Sequence, residues 1–341
     1  MAQCHSAKIK VDRISQIAVV VHNLPMVVEN YWNIMGVGPW NVFNWDYPTV
    51  EKRTYHARPA WAREKICHAQ LENVEFELMQ PVDGPSVYGD ALEEHGEGVH
   101  HLQFCVADLD ETVRILTEDY GFPSIQSGVC GKTPKGCRYN YVYIEPLSCI
   151  WEVVQCTEGI RRGPDYRYPA EASPSPAEIK VTKFSSVAIV VRDARRTAES
   201  YRDILGIGPW EIYDLAPPAL HNRKYQGEAT WGIEKLAVAD VGGVKLELIQ
   251  PVAGQSIFRD HLEKHGEGLH SIGCTVPDPA ATAAILAADG FPTLQKANYG
   301  PVKQGGGYTY VDIPPLRAIF RLDPVVPVDW GITPEYLPGE A

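Results

Sequence analysis

What the chain lacks narrows the field first. No run approaches the roughly 18–20 consecutive apolar residues that a bilayer-spanning helix needs, so neither a membrane span nor a membrane partner is expected. Positive charge is scarce, with 31 Lys and Arg against 43 Asp and Glu and a formal net charge of −12. Such a chain gains nothing from releasing phosphate counterions, so nucleic acid is not an expected partner. There is no CxxC pair among the eight cysteines, Cys4, Cys67, Cys105, Cys130, Cys137, Cys149, Cys156 and Cys274. Met1–Arg13 shows no apolar signal segment, so these read as reduced thiols of a cytoplasmic protein. A bridge or metal clip at Cys130 and Cys137 ranks below that reading.

What is present is ordinary for a globular protein, 45% hydrophobic and 22% charged over 341 residues. That length suits two domains, each with its own core. The chain is in fact written twice. Ser15–Val21 returns as Ser185–Val191, 170 positions later. At the same offset Gly36-Val-Gly-Pro-Trp40 returns as Gly206-Ile-Gly-Pro-Trp210, Glu77-Leu-Met-Gln-Pro81 as Glu247-Leu-Ile-Gln-Pro251, and His95-Gly-Glu-Gly98 as His265-Gly-Glu-Gly268. Gly121-Phe-Pro123 matches Gly290-Phe-Pro292 at 169, which implies one deletion. A constant offset over more than a hundred residues marks two homologous domains. We place them at 9–160 and 180–325, with a Pro-rich linker at 161–179 and an irregular tail at 326–341.

Within a copy, strand and helix periods alternate. The β-branched run 14–21 predicts a strand, and Val27, Val28, Tyr31 and Ile34 predict a helix over 23–35, capped by Asn23 and stopped by Gly36. Strands follow at 67–71 and 74–79. The scheme then restarts with a strand at 99–106, a helix at 109–120 and strands at 139–144 and 149–155. Each copy thus holds two βαβββ modules, four in all, and the fold class is α+β with mixed sheets.

Residues two apart on a strand share a face. This sets Gln16 and His101 near module starts, and Glu77 and Glu152 near module ends, at equivalent places. Buried on apolar strands, such groups are costly unless paired or coordinated. One divalent cation would satisfy all four, with three oxygens and one imidazole nitrogen as ligands. Gln103 and Cys105 share the face of His101 and are expected to line a cavity; His100 is expected to point to the other face, in a structural role. Trp45 and Trp61, with Arg53 among neighbouring cations, are candidates for stacking on a flat substrate and neutralising an acid group. The plain alternative for them is core and solvated surface.

These residues resemble the vicinal oxygen chelate superfamily, which includes glyoxalase I, methylmalonyl-CoA epimerase and the extradiol dioxygenases. The resemblance rests on Gln16–Val21, Gly36–Trp40, Phe76–Pro81, Gly98-Val-His-His-Leu102 and Ile150-Trp-Glu-Val-Val154. It implies two tandem domains whose paired modules curl their mixed sheets around one cavity. It also implies one divalent metal ion held by Gln16, Glu77, His101 and Glu152, with zinc leading and nickel, cobalt, manganese or iron as alternatives. The second copy departs from the pattern. Ser186, Glu247, Ser271 and Arg321 stand at the four positions, so that domain is expected to be degenerate and metal-free, with Arg321 pairing with Glu247.

The function expected is a metal-dependent isomerase, epimerase or lyase, working through an enolate of a small, oxygen-chelating carbonyl substrate. Glu152 is the leading base and Glu77 its partner. The alternatives are a small-molecule binding or resistance protein without chemistry and, ranked last, a ring-cleaving dioxygenase. A homodimer is compatible with the duplication.

Overall fold

The computed structural model describes residues 7–130, 137–155, 163–171, 173–300, 306–325 and 332–339. The chain divides into two compact units. One comprises Ile14–Glu178 with Pro315–Arg317; the other comprises the described residues up to Arg13, Ile179–Pro314 and those from Ala318 onward. Val11 N–H donates to the Leu205 carbonyl within the second unit, and the Tyr31 hydroxyl donates to the Leu316 carbonyl within the first.

In the N-terminal unit the first module runs β1 (Gln16–Val20), α1 (Leu24–Asn30), β2 (Trp40–Trp45), β3 (Val50–Tyr55), β4 (Arg58–Pro59), β5 (Arg63–Gln70) and β6 (Glu75–Asp83). After α2 (Val87–Glu94), the second runs β7 (Gly98–Cys105), α3 (Leu109–Arg114), β8 (Ser124–Cys130), β9 (Cys137–Ile144) and β10 (Cys149–Gln155). These are the expected βαβββ modules, with a hairpin of β3 and β4 inserted in the first and α2 joining the two. A short β11 (Tyr166–Tyr168) completes a mixed sheet ordered β11-β2-β5-β6-β1-β7-β10-β9-β8-β3-β4. Consecutive strands β2 and β3 lie near opposite ends of that order, so the chain spans the mouth of a curled sheet.

The second unit repeats the plan with β12 (Phe184–Val190), α4 (Ala194–Leu205), β13 (Trp210–Leu215), β14 (Leu220–Tyr225), β15 (Glu228–Ala229), β16 (Gly232–Asp240) and β17 (Lys245–Gly254). Then come α5 (Ile257–His265), β18 (Gly268–Val276), α6 (Pro279–Ala288), β19 (Thr293–Tyr299), β20 (Gly307–Ile313), β21 (Ala318–Pro324) and β22 (Glu335–Leu337). The expected irregular tail is corrected here: residues 335–337 pair with β13, as β11 in the linker pairs with β2. Both cover an open strand edge that would otherwise present unpaired backbone groups.

The repeated motifs now have causes. In Gly-x-Gly-Pro-Trp, the fully buried Trp40 and Trp210 each donate Nε1–H to the carbonyl three residues back, at 2.8 Å. In Gln-Pro, Gln80 and Gln250 accept the first helical N–H of α1 and α4, from Leu24 and Ala194. In His-Gly-Glu-Gly, Glu97 and Glu267 accept the backbone N–H of His22 and Arg192. Asn23 caps α1 as expected, and Gly36 (φ 65°) ends the helical segment in the left-handed region that glycine tolerates. The apolar residues divide between two faces. Ile17, Val19, Phe76, Leu102 and Trp151 alternate away from Ala18, Val20, Met79, Tyr139 and Tyr141, which form a cluster on the side bearing the polar groups.

Candidate functional site

Four central strands bring the polar groups together. β1 runs parallel to β6 and antiparallel to β7, and β10 runs parallel to β7. Register sets Gln16 beside Glu75 and Gln103, with Glu152 beside Gln103. One pleat along, Ala18 lies between Glu77 and His101. Its methyl group leaves the space between their longer side chains open. Gln16, Glu77, His101 and Glu152 are all buried, His101 completely.

His101 Nε2 stands 3.6 Å from Glu77 Oε2 and 3.6 Å from Glu152 Oε2. Neither His101 Nε2 nor Glu77 Oε2 has a hydrogen-bond partner, although both are buried. The neighbouring histidine fixes how the His101 ring is turned. His101 Nδ1 lies 2.9 Å from His100 Nδ1, and His100 Nε2 lies 3.3 Å from the Val87 carbonyl. Burial and the neighbouring His101 lower the pKa of His100 to about 3, so it is neutral. With its Nε2–H donated to Val87, only its Nδ1 lone pair is left to accept, so His101 donates from Nδ1. His101 Nε2 then faces two carboxylate oxygens. His100 therefore shares the inner face, contrary to the expectation from strict alternation. A bulge between Ala18 and Val19 pairs them with His101 and Val99 and turns His100 inward.

The carboxylates are held from behind. Gln103 Nε2 donates to Glu152 Oε2 at 2.6 Å and to Gln16 Oε1 at 3.1 Å, while Ser15 donates to Gln103 Oε1. Gln16 Nε2 donates to Glu75. His68, on β5, meets Glu77 Oε1 at 2.8 Å. Burial opposes charge on His68, but Glu75 and Glu77 outweigh it and raise its pKa. Burial likewise raises that of Glu77, against the pull of His68 and His101.

Two ligands at about 2.0–2.2 Å from one tetrahedral cation lie roughly 3.3–3.6 Å apart. His101 Nε2 and the orphaned Glu77 Oε2 are spaced as two ligands of such an ion would be, and Glu152 Oε2 stands at the same 3.6 Å from His101 Nε2. No group of three or more histidine, cysteine, aspartate or glutamate side chains already placed to hold a metal ion is present among the described residues. Gln103 donates to both Glu152 Oε2 and Gln16 Oε1, so these two oxygens already accept a hydrogen bond within the site.

The remaining sequence candidates fall differently. Trp45 packs against the inner cluster, 6.4 Å from the Tyr139 ring. Arg53 is buried in a two-point ion pair with Glu64, and Arg223 pairs with Glu234 at the equivalent place in the other unit. Cys105 lies exposed at the end of β7, and Trp61 is exposed, with Nε1 donating to Asp46. Sequence reasoning missed His68 and the aromatic wall of Tyr88, Tyr139 and Tyr141. The Tyr88 hydroxyl bonds that of Tyr141, whose ring stands 4.9 Å from His101. The alternation of Tyr139, Tyr141 and Tyr143 on one strand was the available signal.

In the C-terminal unit the same positions hold a different device. Arg321 reaches both oxygens of Glu247, both of Asp323 and the Ser186 hydroxyl. Gly273, opposite Ser186, makes room: a Cβ there would lie 2.3 Å from Ser186 Oγ and 2.8 Å from Asp323 Oδ2. A cavity of about 270 Å³ opens beside Ser185, Tyr213, Tyr299, Arg321 and Asp323.

A family model described as the glyoxalase/bleomycin resistance protein/dioxygenase superfamily matches residues 15–141 and 186–310. No curated protein matches the chain. Among solved structures, a triple mutant of 4-hydroxymandelate synthase from Streptomyces coelicolor is similar at TM-score 0.59 and 13% identity, over 92% of each chain. A xylose isomerase-like TIM barrel/4-hydroxyphenylpyruvate dioxygenase fusion protein is similar at TM-score 0.50 and 11% identity, over 94% of this chain and 50% of that one. At these identities the likeness concerns the fold.

Proposed function

The chain belongs to the glyoxalase/bleomycin resistance protein/dioxygenase superfamily, and from that premise we propose that its N-terminal unit is a divalent-metal isomerase, epimerase or lyase. Gln16, Glu77, His101 and Glu152 would hold the ion. The observation that carries this reading is the convergence of His101 Nε2, Glu77 Oε2 and Glu152 Oε2, two of them buried without partners. A bound divalent cation supplies positive charge that polarises a substrate carbonyl and lowers the energy of its enolate.

The chain's own groups do the rest. Glu152, oriented by Gln103, takes the proton from the carbon next to the carbonyl. The proton held by Glu152 goes back to the neighbouring carbon, or is released to solvent while Glu77, across His101, delivers to the opposite face a proton it has taken up from solvent; loss of a leaving group instead makes the reaction an elimination. His100 holds the His101 ring so that its Nε2 faces the carboxylates. Tyr88, Tyr139, Tyr141 and Trp45 form an aromatic wall suited to a flat substrate and exclude water.

The test is solvent deuterium exchange into 2-hydroxyketones and 2-methyl-3-oxo thioesters by metal-loaded protein, alongside metal analysis. Stoichiometric metal with exchange at one carbon, abolished in Glu152→Gln, is expected. Neither metal nor exchange, with tight binding of an aromatic ligand, would favour the second reading, a non-catalytic binding protein, which the aromatic inner face supports. Oxygen uptake on a catechol would favour ring cleavage. That reading ranks last because Arg321 stands in the second site and the first offers one ligating histidine.

A further inference from the structure

We infer that His68 is a positioning residue of the metal site: it holds one oxygen of Glu77 so that the other faces the ion. This rests on the metal reading above and deepens it. His68 Nε2 lies 2.8 Å from Glu77 Oε1, while its Nδ1 is 3.9 Å from Glu75, beyond hydrogen-bond reach. Glu77 is thus tied at one oxygen only. Its Oε2 is buried, without a partner, 3.6 Å from His101 Nε2.

The duplicated unit supplies an internal control. His68 is the register partner of Glu77 across β5 and β6, and Val238 is the register partner of Glu247 across β16 and β17. Glu247 is as buried as Glu77, yet its strand neighbour offers it nothing, because Arg321 takes both its oxygens. The fold therefore accommodates a buried glutamate here without a histidine beside it. Histidine stands at this position in the unit with the Gln16, Glu77, His101 and Glu152 set, and valine in the unit where a guanidinium replaces that set. Arg321 engages both oxygens of Glu247, whereas His68 engages one oxygen of Glu77 and leaves the other buried and directed at His101. Outer-shell hydrogen bonds of this kind orient ligands and typically change metal affinity by about 10–100-fold.

The test titrates Zn²⁺, and separately Co²⁺, into metal-free full-length protein, reading heat and the visible cobalt bands. His68→Val, which copies the second unit, is expected to bind about 10–100-fold more weakly and to shift the cobalt spectrum. His68→Gln, which retains a donor, should recover much of that loss. In a Glu77→Gln background, His68→Val should add nothing further. Thermal unfolding of the metal-free variants checks that each is folded, and the Gln variant keeps the test decisive if the Val variant is not. Unchanged affinity in both variants, or an equal loss with and without Glu77, overturns the role of His68 while leaving the metal site standing. Absence of Zn²⁺ and Co²⁺ binding by the wild-type protein overturns both.

Discussion

Arg321 grips both carboxylate oxygens of Glu247, at 2.5 and 2.7 Å, at the place where the N-terminal unit keeps Glu152 and Glu77 on either side of His101. A fixed organic cation thus does in one unit what a metal ion would do in the other. Four other differences make this possible: Ser186 for Gln16, Ser271 for His101, Gly273 for Gln103 and Val238 for His68. Each removes bulk or a competing polar group, and together they clear the path for the guanidinium.

Arg321→Ala is therefore expected to destabilise the C-terminal unit by about 3–5 kcal/mol, the usual consequence of stranding a buried charge. Glu247 is already pushed up by burial and held down by Arg321, so without the guanidinium it should protonate. The double variant Arg321→Ala/Glu247→Ala should recover part of the loss in urea unfolding. A single variant as stable as wild type would contradict the ion pair's structural role.

His270 predicts a pH dependence. Burial, followed by repulsion from His261 and His265, holds its pKa well below the ordinary value. Its folded form binds fewer protons than the unfolded chain once pH drops below about 6.5. The stability it contributes is thus complete above that pH and is lost as pH falls, by up to about 1.4 kcal/mol per unit. Urea midpoints from pH 7.5 to 5 should show this slope, and His270→Gln should lessen it, His100 supplying a slope of the same sign.

Much of the fold was legible in the sequence because two periods and one offset encode it. The strands at 16–20 and 149–155 and the glycine stops at 36 and 206 follow from local chemistry alone. That His101 would lie near Glu77 and Glu152 was legible because these residues stand at equivalent module positions. What escaped depends on register. The inward turn of His100 needs a bulge, which alternation does not foresee. The meeting of His68 with Glu77 needs the pairing of β5 with β6. Arg53 is one of several neighbouring cations by sequence and half of a buried pair once Glu64 lies beside it.

Gly128 offers a steric test of the aromatic wall. A Cβ there would sit 2.6 Å from the Tyr139 hydroxyl and 2.8 Å from its ring, which is buried and cannot swing aside freely. Gly128→Ala is expected to cost about 1–3 kcal/mol by overpacking and to weaken binding of aromatic ligands. Gly98→Ala, where a Cβ meets nothing within 4 Å, serves as the control and should change stability by less than about 0.5 kcal/mol.

Metal should stabilise one unit and not the other. A ligand that binds only the folded form adds about 2.7 kcal/mol at a hundred times its dissociation constant. Hydrogen exchange with and without Zn²⁺ should therefore show slower opening in β1, β6, β7 and β10, whose side chains would share the ion. The matching strands β12, β17, β18 and β21 should be unaffected, because the guanidinium already occupies the space between Glu247 and Ser186. Glu152→Gln should erase the protection in the first set. Protection appearing instead around Ser271 and Arg321 would reverse the assignment of the two units.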